Sequence, residues 1–83
     1  MTKEEVRNIY NLLTSDNLQT ALRIILDLEP KDFAFCMNEL IHNLSVRTYA
    51  GGHFIYIKAG WFFLNTNKQK FKRQNDSFIK KLL

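Results

Sequence analysis

The spacing of apolar side chains divides the chain into helical segments first and an extended region later. Over residues 3–13, Val6, Ile9, Tyr10 and Leu13 recur at the three- and four-residue steps that line one face of a helix. Thr14-Ser15-Asp16-Asn17 interrupts the pattern. Asp16 with Gln19 fits a capping pair for a second helix over residues 17–28, the carboxylate accepting from free backbone amides. Its stripe is Leu18, Ala21, Leu22, Ile25 and Leu26, widened by Ile24 and Leu28, so this helix is expected to pack on more than one side. Glu29-Pro30 breaks it, because proline disfavours the helical region for the residue before it and is accepted at a first helical position. A third helix follows over residues 31–44, with Phe33, Cys36, Met37, Leu40, Ile41 and Leu44 on one side. Phe35 departs from that stripe: at about 100° per residue it points about 200° away from Phe33. Phe35 and the outward direction of Ile24 are therefore candidate contacts for another protein.

After residue 44 the period changes. Phe54 to Ile57 are all aromatic or β-branched, which favours an extended chain. Gly51-Gly52 between apolar runs is a hairpin signal, because a tight primed turn needs positive φ. Strands are expected over residues 45–50 and 53–59, with a third over residues 61–65 after a turn at Ala59-Gly60. A competing reading is one helix over residues 53–65, with Phe54, Ile57, Trp61 and Leu64 on one face, which would make the protein an all-α helical bundle. Gly60 would then sit mid-helix at a cost of about 1 kcal/mol. The strand reading is preferred. A last helix is expected over residues 67–83, broken at Asn75-Asp76, with Phe71, Phe78 and Leu82 on one face and Ile79 beside them. The expected fold is α+β: three N-terminal helices, a small antiparallel hairpin or three-stranded sheet, and a basic C-terminal helix, in a single small globular domain over residues 1–83.

Charge sharpens the division. Up to Ser45 there are four basic and seven acidic residues, a balance of −3; from Val46 onward there are eight basic and one acidic, a balance of +7. Seven of the eleven aromatic residues lie within residues 46–73. A cationic, aromatic second half points to an anionic partner. The single cysteine, Cys36, cannot form an internal disulfide and falls on an apolar face, which fits a reducing compartment and an expected cytoplasmic location. Lys3, Glu4, Glu5 and Arg7 break up any early apolar run of the signal-peptide kind. No apolar stretch approaches the roughly 20 residues of a membrane span.

Catalytic chemistry finds little to work with. A nucleophile needs a base in reach, yet Cys36 is on the apolar stripe and His42 is on the far side of the same helix. His53, beside the glycine turn, reads as a polar turn residue. A structural zinc site takes four Cys or His ligands, and the chain has three such residues with no ligand spacing between them. Gly51-Gly52 lacks the further glycine or Lys-Ser/Thr of a phosphate loop. The expectation is a non-enzymatic regulatory or accessory protein with no cofactor and no metal.

Its leading partner is nucleic acid. Arg47, Lys58, Lys68, Lys70, Lys72, Arg73, Lys80 and Lys81 are the candidates for phosphates, with Tyr49, Tyr56 and Trp61 for bases. The third helix is a poorer candidate, since Asp32 and Glu39 on its outer side would repel phosphates. The alternative is a protein-interaction module, such as an inhibitor, adaptor or small subunit, that meets an acidic protein surface or a second copy of itself.

Overall fold

The computed structural model describes residues 1–44 and 47–82. Three helices come first: α1 (Lys3–Thr14), α2 (Leu18–Leu26) and α3 (Pro30–Glu39), the last running on as a π-helical turn, Leu40–Leu44. A three-stranded antiparallel sheet follows, β1 (Arg47–Tyr49), β2 (Gly52–Ile57) and β3 (Gly60–Leu64), in that spatial order. The chain ends in α4 (Lys68–Gln74), α5 (Asp76–Ile79) and a 3-10 turn, Lys80–Leu82. The fold is α+β, and the strands over β2 and β3 replace the all-α alternative. No helix among the described residues is long and apolar enough to cross a membrane. The expected first strand reached into residues 45 and 46 and the last helix to residue 83, which lie outside the described residues.

Local chemistry sets the element ends. Thr2 caps α1 through a reciprocal pair: its hydroxyl accepts from the Glu5 amide (3.2 Å) and the Glu5 carboxylate accepts from the Thr2 amide (2.9 Å). The capping pair expected at Asp16 and Gln19 does not form. Asn17 stands at the N-cap of α2 without a side-chain cap, Asp16 instead lies 3.4 Å from the Lys58 ammonium, and Gln19 reaches the Lys81 carbonyl (3.4 Å). Both side chains are drawn off by elements distant in sequence, which the local pattern does not contain. Pro30 occupies the first turn of α3, where its missing N–H costs nothing. Asn67 caps α4, its side chain accepting from the Lys70 amide at 3.0 Å.

The hairpin turn lies one residue earlier than the glycine pair implies. Tyr49 pairs with Gly52, so Ala50 and Gly51 are the central residues, at φ +52° and +78°. Both left-handed angles are what a primed turn demands; Gly51 adopts its angle freely, whereas Ala50 bears some steric strain. The next turn is Lys58-Ala59, between Ile57 and its partner Gly60. Gly60 stands at φ +125°, a region that a residue with a Cβ rarely enters.

One apolar core holds these pieces together. Val6, Ile9 and Leu13 of α1, Ala21, Leu22 and Ile25 of α2, and Phe33, Cys36 and Met37 of α3 meet Ile55, Ile57, Phe62 and Leu64 from one face of the sheet. Phe71 and Phe78 close it from the C-terminal helices, the Phe62 ring lying 5.6 Å from Phe71 and 5.8 Å from Phe78 between centroids. Helices therefore cover only the inner face of the sheet.

Candidate functional site

Strand alternation places every second side chain on the other face. Cross-strand pairing sets Arg47 against Phe54, Phe54 against Phe63, and Tyr56 against Trp61, so these residues and Tyr49 share the outer face. That face is aromatic and open: Tyr49 is 74 % exposed, Tyr56 62 %, Trp61 40 % and Phe63 36 %. Phe54 alone is buried there, beneath its neighbours. Its ring stands edge-to-face to Tyr49 (6.3 Å, 71°) and Trp61 (4.7 Å, 79°), and tilted against Phe63 (5.7 Å, 58°). Tyr56 adds a further edge-to-face contact to Trp61 (5.0 Å, 70°). Such pairs contribute about 0.5–1.5 kcal/mol each beyond the area they bury, which holds the rings in place although water reaches them. The Arg47 guanidinium carbon lies 5.8 Å from the Trp61 ring centroid, within cation–π range. Arg47, Thr48, Tyr49, Phe54, Trp61 and Phe63 line an open groove of about 450 Å³, which falls in the size range of small-ligand sites.

One residue ties this face to the cationic helix. Asn75 is fully buried and is the single buried polar side chain among the described residues. Its Oδ1 accepts from the Phe63 amide (2.9 Å), while its Nδ2 donates to the Phe63 carbonyl (2.7 Å) and the Phe71 carbonyl (3.0 Å). The side-chain amide thus takes the place of a fourth strand along the outer edge of β3. This demand also explains the break between α4 and α5, which falls at the expected Asn75-Asp76. Phe71 turns inward to Phe62 and Phe33, and Lys72 beside it is exposed.

The remaining expected cations disperse. Lys58 is paired with Asp16 and Lys80 with Asp76 (2.9 Å), both pairs well exposed. Lys68 is turned inward, its ammonium donating to the Leu28 carbonyl (3.0 Å) and lying 5.7 Å from the Phe33 ring centroid. Lys70, Lys72, Arg73 and Lys81 are exposed and, among the described residues, form no ion pair. In particular, no described ion pair joins the C-terminal cations to Asp27, Glu29 or Glu39. Sequence reasoning places Tyr49, Tyr56 and Trp61 at the site but omits Phe54 and Phe63; the two-residue alternation through Phe54-Tyr56 and Trp61-Phe63 is the signal that finds them. Of the candidate protein contacts, Ile24 is exposed, whereas Phe35 is half-buried and packs against the core.

The groups that carry catalysis elsewhere are set apart. Cys36 is fully buried, and that burial pushes its thiol up to about 12, so the sulfur stays protonated. His53 lies with Nδ1 3.2 Å from the Thr48 hydroxyl. It shares a concavity of about 270 Å³ with His42, Asn65 and Thr66. No group of three or more metal-ligating side chains gathers among the described residues. Comparison of the chain with known protein families, with curated proteins and with solved structures finds no match.

Proposed function

We propose that the protein is a small non-enzymatic accessory factor that binds nucleic acid through the outer face of its sheet, with Arg47 at that face and exposed cations of the C-terminal helices. The observation that supports this most directly is the clustering of Tyr49, Trp61 and Phe63 with Arg47 along one open groove, with Tyr56 against Trp61, in a half of the chain whose one acidic side chain is Asp76. Aromatic faces stack on bases, and Lys or Arg nearby displaces counterions from phosphates. Lys70, Lys72, Arg73 and Lys81, exposed on the C-terminal helices, add charge beyond the groove. The test is a binding titration across salt concentrations. About four phosphate contacts give a slope of log affinity against log salt of about −3 to −4. Lys70→Glu with Arg73→Glu, both at exposed positions, is expected to remove most of the affinity. Absence of binding at low salt rejects the proposal.

A protein-interaction module is the second reading, supported by Ile24. That side chain is exposed beside a shallow, mainly apolar groove formed with Met1, Ile9, Leu12 and Leu28. Exposed apolar groups grouped in this way mark contact surfaces. Sedimentation of the protein alone and of an Ile24→Lys variant tests whether that groove mediates self-association.

A further inference from the structure

We infer that the groove on the outer sheet face is a nucleobase site, and that the nucleic acid it takes is single-stranded. The inference rests on the proposed function and narrows it. The groove floor is Phe54, its walls are Tyr49, Trp61 and Phe63, and Arg47 stands at its rim beside Trp61. A base within a duplex has both faces covered by its neighbours and cannot reach a ring lying in a sheet. An unpaired base exposes a face, and stacking on an aromatic side chain is indifferent to which base it is.

Charge selects the same occupant. Among the described residues no carboxylate lines the groove, and Arg47 lies on it. A phosphate flanking a base stacked in the groove therefore meets positive charge at the Arg47 rim. A double helix offers phosphates at its surface but no base to this groove. The floor and walls are held by ring-to-ring contacts rather than by long flexible side chains, so little side-chain freedom is lost when a base enters.

Trp61 is the only tryptophan in the chain, so its fluorescence reports on the groove directly. The experiment titrates the full chain at low salt with a short oligothymidylate and, separately, with a duplex whose strands have the same length. The single strand is expected to quench Trp61 and bind more tightly than the duplex. Tyr49→Ala is expected to weaken single-strand binding by about 5- to 150-fold, the loss of one stacked base, and to leave duplex binding unchanged. Tyr49 is the most exposed of the rings, so this variant keeps the fold; Trp61→Ala, followed by fluorescence anisotropy of a labelled oligonucleotide, provides a second measure. Equal affinity for duplex, or single-strand binding indifferent to both variants, overturns the base site while leaving nucleic-acid binding intact. Binding of neither nucleic acid overturns the proposed function itself. Quenching that follows protein concentration alone, together with a dimer in sedimentation, assigns the face to a second copy and also overturns the inference.

Discussion

The two faces of the sheet are made from the same few strands, yet they differ in what their side chains do. On the inner face Ile55, Ile57, Phe62 and Leu64 are buried against helices, and almost all of their area has left water. On the outer face Tyr49, Tyr56, Trp61 and Phe63 gather around Phe54 but keep much of their surface wet. A ring that remains in water contributes little to folding, since hydrophobic stabilisation follows the area removed from water. The inner face therefore stabilises the fold, and the outer face presents a surface that folding leaves open.

Substitutions can break or sharpen this contrast. The largest effect is expected at Phe62, where truncation leaves a cavity: Phe62→Ala should destabilise by about 3–5 kcal/mol, and Tyr56→Ala on the opposite face by well under half of that, both read by chemical denaturation. Comparable losses at the two positions would erase the distinction. Asn75 belongs to neither face but to the edge, and Asn75→Ala leaves the Phe63 amide and carbonyl unpaired; a loss of about 1–3 kcal/mol is expected, with self-association rising as the β3 edge opens. Cys36 tests the inner side through pH. Its folded pKa of about 12 lies above the ordinary thiol value of 9.0, so the unfolded chain loses the proton first. Its contribution is complete below about pH 9 and falls as pH rises toward 12, at a slope approaching about 1.4 kcal/mol per pH unit. Cys36→Ala should flatten that part of the alkaline decline relative to the parent chain, whose other alkaline groups are unchanged. Disulfide-exchange reagents should reach the thiol only as fast as the fold opens. The smallest effect is expected at Lys80, whose exposed pair with Asp76 is worth a few tenths of a kcal/mol; Lys80→Ala should leave both faces as they are.

Much of this arrangement is legible in the sequence, for reasons that differ by element. The helices are legible because one apolar stripe per helix is all that a one-sided core requires, and Val6, Ile9 and Leu13 are buried as their spacing predicts. The Thr2-x-x-Glu5 box is equally local and could be read from the pattern, although the Asp16-Gln19 pair draws attention first. The turn is displaced because glycine in sequence signals positive φ without saying which residue beside it shares that conformation, and Ala50 is the one that does. The site is half legible. Tyr56 and Trp61 stand out by type, but that they are direct cross-strand partners depends on the register. Phe54 and Phe63 look like ordinary core residues until alternation sends them outward. The dispersal of the cations has no local signature, since Lys68 and Lys58 are claimed by Leu28 and Asp16, far away along the chain. Asn75 is the least legible of all: an asparagine at a helix break reads as a turn residue, and its role exists only because the free edge of β3 comes alongside.

That asparagine limits how copies of the molecule can add to one another. Strand-to-strand growth needs two bare margins on each unit, one to receive and one to extend. With the Phe63 amide and carbonyl on the β3 margin taken by a side chain of its own molecule, a strand cannot pair along that margin without displacing Asn75, and joining is directed to the β1 side. Lateral joining of this kind ends once two copies have met, so a chain with an open aromatic surface is spared the route to endless ribbons.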